Sequence, residues 1–231
     1  MPRTDVLIMA AGGGTRLGAD EPKPYRSLLG RPMIVWPLER LAHHPDVASV
    51  TVVVAPGEEG RARQLLAEYS IDKVGRIVAG GDTRQRSVSL GLRSLGEGSE
   101  RVLVHDAARP CVSADLVNAV VRALDECSAV IPAVPAVDTM IHAQDGVLGA
   151  VVDRVHVCGV QTPQAFATEL LIRAHDRAEE SGFRSSDDAS LVYALGEQVR
   201  VVPGERTNIK VTFAEDLGVA EAILKSQRDA R

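Results

Sequence analysis

Aromatic side chains are scarce: three Phe, three Tyr and one Trp make up 3% of 231 residues. Hydrophobic residues nevertheless reach 45%. The core must therefore be built from Val, Leu, Ile and Ala, which suits parallel strands buried on both faces. Cysteine is also rare. Cys111, Cys127 and Cys158 are widely spaced and odd in number, which excludes a zinc pattern and a disulfide framework. Buried thiols in a reducing cytoplasm are the expectation. Basic surplus is absent, since the formal net charge is −5, and a general nucleic-acid binder needs a basic face. No apolar run is long enough to span a bilayer, and the first residues lack a signal peptide's basic and apolar regions. A cytoplasmic protein with neither nucleic acid nor membrane as partner is expected.

Two phosphate-binding loops are missing as well. A P-loop closes on Gly-Lys followed by Ser or Thr, and no such lysine occurs in the glycine-rich stretch near the front. The dinucleotide fingerprint needs Gly-x-Gly-x-x-Gly; Gly12 and Gly14 fit, but Leu17 holds the third position and Gly18 comes one residue late. The ribose-binding acid expected after the second strand is absent, because Val52-Val53-Val54 runs into Ala55-Pro56.

What is present in that stretch is an apolar run, Val6–Ala10, leading into Ala11-Gly12-Gly13-Gly14-Thr15-Arg16-Leu17-Gly18 and then Pro22-Lys23-Pro24. Glycine frees backbone amides to wrap an anion, and Arg16 and Lys23 add two cations. This combination points to a polyphosphate ligand.

The length fits one large α/β domain over residues 1–231. Val6–Ala10, Ser49–Ala55, Gly75–Ala79, Arg101–His105 and Ala129–Val134 read as strands. Glu59–Tyr69, Arg84–Leu95 and Ser113–Glu126 read as helices between them, the last capped by Ser113 with Leu116, Val117, Val120, Val121 and Leu124 as its apolar stripe. This alternation predicts a doubly wound, Rossmann-like, mostly parallel sheet. Ligands in such sheets bind beyond the carboxyl ends of the strands. After Val137 the rhythm breaks. Asp138–Ala143 and Gly146–Asp153 read as a hairpin turning at Asp145-Gly146. With little core of its own, this inserted arm (138–154) either projects to a second subunit or lies along its own sheet edge. Strand Val157–Gln161, helices Thr168–Ser181 and Asp187–Leu195, strands Gln198–Val202 and Asn208–Thr212, and a last helix from Ala214 or Glu215 complete the pattern.

The strand ends carry the candidate chemistry. Gly80-Gly81 lets a ligand approach the backbone closely. Asp82 and Ser87 can bond a base or sugar, or Asp82 or Thr83 simply caps the next helix. Asp106 follows a buried strand and faces the glycine-rich loop. One carboxylate suffices for Mg²⁺ when substrate phosphates complete the shell; a cap or an ion pair with Arg109 is the plainer reading. His105 reads as a packed strand residue. Lys210 is a cleft contact or an edge charge, depending on which face of its strand it occupies. Asp187-Asp188 reads as a helix start, with Asp187 as cap.

Taken in order, Ala10-Ala11-Gly12, Thr15-Arg16-Leu17, Pro22-Lys23, Gly80-Gly81-Asp82, His105-Asp106-Ala107-Ala108-Arg109-Pro110, Gln161-Thr162-Pro163-Gln164, Asp187-Asp188-Ala189-Ser190 and Asn208-Ile209-Lys210 resemble the 2-C-methyl-D-erythritol 4-phosphate cytidylyltransferase family of the non-mevalonate isoprenoid pathway. The likeness spans nearly the whole chain. Met9 departs from it, since many members have Pro there. The resemblance implies a nucleotidyltransferase-type fold and transfer of CMP from CTP to methylerythritol phosphate, with Mg²⁺ as cofactor. It implies Arg16 and Lys23 as catalytic cations at the α-phosphate and Asp106 as the metal ligand. Ala10, Ala11, Gly12, Gly81, Asp82, Ser87 and Ala107 would hold CTP. Arg154 and Lys210 would position the acceptor during catalysis, with Thr139, Thr162 and Arg109 as further contacts. It also implies a homodimer in which the arm carries Thr139 and Arg154 to the neighbour's site. Ribitol-5-phosphate cytidylyltransferases share the scaffold and Gln-Thr-Pro-Gln, but Ala107-Ala108 and Asp187-Asp188-Ala189-Ser190 resemble the isoprenoid enzymes more. A non-catalytic nucleotide-binding module would be expected to have lost at least one of Arg16, Lys23, Arg154 and Lys210, and all four are present.

Overall fold

The computed structural model describes residues 2–12 and 21–229. Its main sheet has eight strands. Central β1 (Thr4–Ala10) pairs in parallel with β4 (Val47–Val54) on one side and β6 (Arg101–Asp106) on the other, and β5 (Val74–Ala79) extends the β4 side. The strand order therefore reverses at β1, and the crevice between the ends of β1 and β6 is the place such sheets use for ligands. Beyond β6 the order is β11 (Gln164–Ala167), β7 (Ala129–Pro135) and β10 (Cys158–Val160), with β12 (Arg200–Pro203) also on β7. Pairings along β11 and between β10 and β7 are antiparallel, so the mostly parallel sheet has an antiparallel part that strand-helix alternation did not reveal.

Both faces of the sheet are buried, which explains the unbroken apolar strands. Along β1, Val6, Ile8 and Ala10 enter one core while Leu7 and Met9 enter the other, as a two-residue side-chain period requires. Helices α1 (Val35–Ala42), α2 (Glu59–Glu68) and α4 (Ala114–Ala123) cover the first face. Helices α3 (Arg84–Arg93), α5 (Thr168–Ser181) and α6 (Asp188–Ala194) cover the second. The last helix, α7 (Glu215–Asp229), closes a smaller cluster with Leu28, Met33 and Cys111. No helix among the described residues is long and apolar enough to cross a membrane.

Local signals set the helix starts. Thr83 accepts from the Arg86 amide and Asp187 from the Ser190 amide. Ser113 accepts from the Leu116 amide at 2.9 Å. The sequence pattern assigned nothing between Tyr25 and Val47, where α1 and the short strands β2 (Ser27–Leu28) and β3 (Arg31–Pro32) occur. Pro37 sits in the first turn of α1, where its missing N–H costs no intrahelical bond.

Two expectations need correction. Asn208–Thr212 is not a strand. Its polar groups go to side chains and loops instead: the Val211 amide donates to the Ala108 carbonyl, and Asn208 Nδ2 donates to the Thr162 carbonyl. Cys158 is exposed and Cys127 only partly buried, so Cys111 alone is the buried thiol; burial pushes its pKa up to about 12. The hairpin forms as expected, as β8 (Met140–Gln144) and β9 (Val147–Val152), and among the described residues these strands pair only with each other.

Ser113→Ala should remove the α4 cap and its 2.6 Å bond to Glu205. A loss of about 1–2 kcal/mol is expected. Urea unfolding should show a lower midpoint with an unchanged slope.

Candidate active site

The carboxyl ends of β1 and β6 open onto a cleft of about 310 Å³. Ala10, Ala11 and Gly12 form one side of it, Gly81, Asp82 and Ser87 another, and Lys23, Asp106, Ala107 and Lys210 also line it. Residues scattered along the chain from Ala10 to Lys210 thus meet where the sheet topology directs. Lys23 enters on a short 3₁₀ turn, Lys23–Tyr25, whose Pro24 and Tyr25 are buried. The Arg61 guanidinium stacks on the Tyr25 ring at 4.0 Å, which anchors the turn from outside. Arg16 lies outside the described residues, as does the rest of the loop from Gly13 to Asp20.

The glycine pair after β5 serves the protein before any ligand. A Cβ on Gly80 would lie 2.6 Å from the Ala11 Cβ, so the two loops meet only because Gly80 has no side chain. Ser87 Oγ accepts from the Gly81 amide at 3.0 Å and donates to the Thr83 carbonyl at 2.8 Å. Ser87 therefore shapes this turn as well as lining the cleft. Thr83, not Asp82, caps α3, and Asp82 remains exposed at the rim.

A charged cluster stands at the centre. Asp106 Oδ2 accepts from Lys210 Nζ at 2.7 Å, and Oδ1 accepts from Arg84 Nε at 3.2 Å. Burial opposes the carboxylate's charge, but Arg84 and then Lys210 outweigh it and hold Asp106 well below the usual carboxylate range. Sequence reasoning missed Arg84. Its Nη1 donates to Asp188 Oδ2 at 2.7 Å, and Asp188 Oδ1 faces His175 Nε2 at 3.1 Å. A signal existed: an arginine in the first turn opposes the helix dipole and needs a compensating acid.

His105 is fully buried and organises the backbone here. Its Nε2 lies 3.2 Å from the Arg109 carbonyl, so that nitrogen donates. Nδ1 then accepts from Thr162 Oγ1 at 3.1 Å, and the same oxygen accepts from the Asp106 amide at 3.0 Å. Burial lowers the His105 pKa to about 4, against hydrogen bonds and the nearby Asp106 charge.

A second hollow, about 370 Å³, shares Arg84, Asp106 and Lys210 with the first and adds Arg109, Thr162 and Gln164. Arg109 is only 9% exposed. It donates to the carbonyls of Asn208 and Val160 at 2.8 and 3.1 Å, which braces the segment carrying Lys210. Thr139 and Arg154 line neither hollow within this chain. Both are exposed, and Arg154 donates to the Val137 carbonyl at the base of the arm. A larger hollow of about 630 Å³ surrounds Trp36. Of the motif residues it gathers only Pro110 and none of the candidate site residues, so the chemistry favours the smaller cleft.

Comparison with known proteins points to one family. The family model described as 2-C-methyl-D-erythritol 4-phosphate cytidylyltransferase matches residues 4–226. The protein of that name from Pelotomaculum thermopropionicum is 42% identical over 230 residues, covering 99% of this chain and 97% of its own. That from Geobacillus kaustophilus is 40% identical, covering 96% and 97%. The crystal structure of the Thermus thermophilus protein superposes with a TM-score of 0.80 at 37% identity, covering 95% and 98%.

His105 also generates a stability prediction. It stays neutral in the fold, whereas the unfolded chain takes up its proton as pH falls below 6.5. Its stabilising contribution is complete above pH 6.5 and is lost as pH drops towards 4. Between pH 7.5 and 5 this amounts to about 2 kcal/mol. Urea midpoints at the two pH values should differ accordingly, and His105→Gln should flatten the difference. Equal wild-type midpoints would contradict it.

Proposed function

The chain belongs to the 2-C-methyl-D-erythritol 4-phosphate cytidylyltransferase family, and from that premise we propose how its cleft performs the family's reaction. The enzyme transfers CMP from CTP to 2-C-methyl-D-erythritol 4-phosphate, releasing pyrophosphate and forming 4-diphosphocytidyl-2-C-methyl-D-erythritol, in isoprenoid precursor synthesis. The observation that carries the site assignment is the Asp106 carboxylate, ionised at the end of β6 and flanked by Arg84 and Lys210 opposite Ala10–Gly12.

A phosphate oxygen of the acceptor forms a bond to the α-phosphorus of CTP, and the bond from that phosphorus to the bridging β-phosphate oxygen breaks. The attacking oxygen is already anionic near neutral pH, so no general base is required. The obstacle is the approach of two polyanions. Lys23 and Arg16 neutralise charge growing at the α-phosphate and on the leaving pyrophosphate. The chain at Ala10, Ala11 and Gly12 cradles the phosphates, and Gly81, Asp82, Ser87 and Ala107 border the nucleoside. Lys210 turns from Asp106 to the acceptor phosphate in the second hollow, beside Thr162 and Arg109, and aligns it for in-line attack. No group of three possible metal-binding side chains occurs among the described residues. The donor set still fits Mg²⁺ brought in on the triphosphate, which needs one hard carboxylate oxygen, and Asp106 offers it. When bound, Mg²⁺ offsets phosphate charge as a Lewis acid.

The arm supports a homodimer. Met140, Ile141, Val147, Leu148 and Val151 are between 42% and 67% exposed, an apolar surface that a second copy would bury. Thr139 and Arg154 would then complete the partner's second hollow. The three unpaired cysteines fit a reducing, cytoplasmic setting.

Three outcomes are expected. Pyrophosphate release should require CTP and methylerythritol phosphate, with ribitol 5-phosphate a poor acceptor; no turnover with CTP would overturn the reading. Lys23→Ala should lower turnover roughly a hundredfold, about 3 kcal/mol of transition-state stabilisation, and turnover within twofold of wild type would remove its assigned role. Mixing inactive Lys210→Ala and Arg154→Ala subunits should restore activity to about a quarter of wild type, since half the dimers are then mixed and each has one intact site. No recovery after subunit exchange would exclude a shared site.

A further inference from the structure

Behind the cleft lies an ion cluster that the reaction as described does not use. Asp188 is 1% exposed and His175 3%. Asp188 spends one oxygen on Arg84 Nη1 at 2.7 Å and the other on His175 Nε2 at 3.1 Å. Arg84 in turn reaches Asp106 through Nε. The order from core to cleft is His175, Asp188, Arg84, Asp106.

Stability alone does not account for this arrangement. A buried ion pair loses in desolvation much of what it gains in attraction, and apolar residues of similar volume often serve stability as well. The position of Arg84 is informative, because it lines both hollows on the wall between them. The two cations on Asp106 also differ in freedom. Lys210 has 44% of its side chain exposed and can swing away, whereas Arg84 is 25% exposed and held at both ends. A guanidinium can bridge two carboxylates through separate nitrogens, which an ammonium cannot do with the same rigidity. Asp188 itself starts α6 directly after its cap Asp187, and His175 grips it from α5. The immobile end of the chain is thus the buried one.

We propose that Asp188, steadied by His175, is a positioning residue for the transfer site: it fixes Arg84, and Arg84 fixes the direction in which the Asp106 carboxylate faces the cleft. The inference rests on the role given above to Asp106. When Lys210 leaves for the acceptor phosphate, Arg84 keeps Asp106 in place. Without Asp188 the guanidinium turns, and Asp106 loses its orientation while nucleotide contacts elsewhere persist.

The test compares Asp188→Asn, Arg84→Met and the double variant Arg84→Met with Asp188→Leu. Asp188→Asn should lower kcat at least tenfold, with KM for methylerythritol phosphate within threefold of wild type. Calorimetric titration with CTP should show at least a fivefold smaller gain in affinity from Mg²⁺, with unchanged affinity in EDTA. The double variant should turn over no more slowly than Arg84→Met alone, while its Tm recovers towards wild type, because Asp188 acts only through Arg84. Should Asp188→Asn fail to fold, the comparison of the double variant with Arg84→Met decides. Folded Asp188→Asn with kcat within twofold of wild type, an unchanged Mg²⁺ effect on CTP affinity, or losses that multiply in the double variant would overturn the proposal. Wild-type protein inactive with CTP and methylerythritol phosphate would overturn the functional reading instead, and the calorimetry would still report on Asp106.

Discussion

The Asp106 carboxylate, held between Arg84 and Lys210, is the contact around which the rest of the cleft is arranged. Each partner arrives from a different part of the chain: Asp106 ends β6, Arg84 begins α3 and Lys210 follows β12. A carboxylate so deeply placed stays ionised because Arg84, Lys210 and the nearby Arg109 offset its burial. The surrounding hydrogen bonds serve that placement. His105 and Thr162 hold the Asp106 amide, while Arg109 and Asn208 pin the segment that delivers Lys210. Removing any of these links would misplace a charge rather than merely loosen a loop.

The cluster also reconciles an acidic chain with a polyanionic substrate. A net charge of −5 is repulsive at long range. Locally, Arg84, Lys210 and Arg109 act on one carboxylate at the junction of the two hollows, and Lys23 lines the first of them. In a partly buried site the near cations dominate, because distant surface charges are screened within about 10 Å at ordinary salt. The overall charge thus bears on solubility, and the cleft bears on binding.

The arm illustrates the opposite balance. Strands β8 and β9 have cross-strand pairing but no core, and their apolar side chains remain exposed. A two-stranded hairpin of this kind is marginal by itself. Its sequence departs from the strand-helix rhythm, and among the described residues its strands pair with no strand of the main sheet.

Much of this was legible in the sequence. Buried strands such as Val6–Ala10 and Ala129–Val134, the cap at Ser113 and the Asp145-Gly146 turn are local features, decided by neighbours in the chain. So were most cleft residues, since in a doubly wound sheet the residues just after a strand face the ligand. The antiparallel insertion of β11, the irregular path of 208–212 and the Asp188–Arg84 link were not legible. Each depends on partners distant in sequence, as with Arg84 and Asp188 at a separation of 104. Periodicity reports how a segment meets an apolar core; it carries no record of which distant carboxylate a guanidinium will meet. Sequence alone therefore determined the parallel strands of the sheet, most of its helices and most of the charged groups at its carboxyl edge. Only the tertiary structure decided which charges touch, because contact between them requires the strands to be brought side by side first.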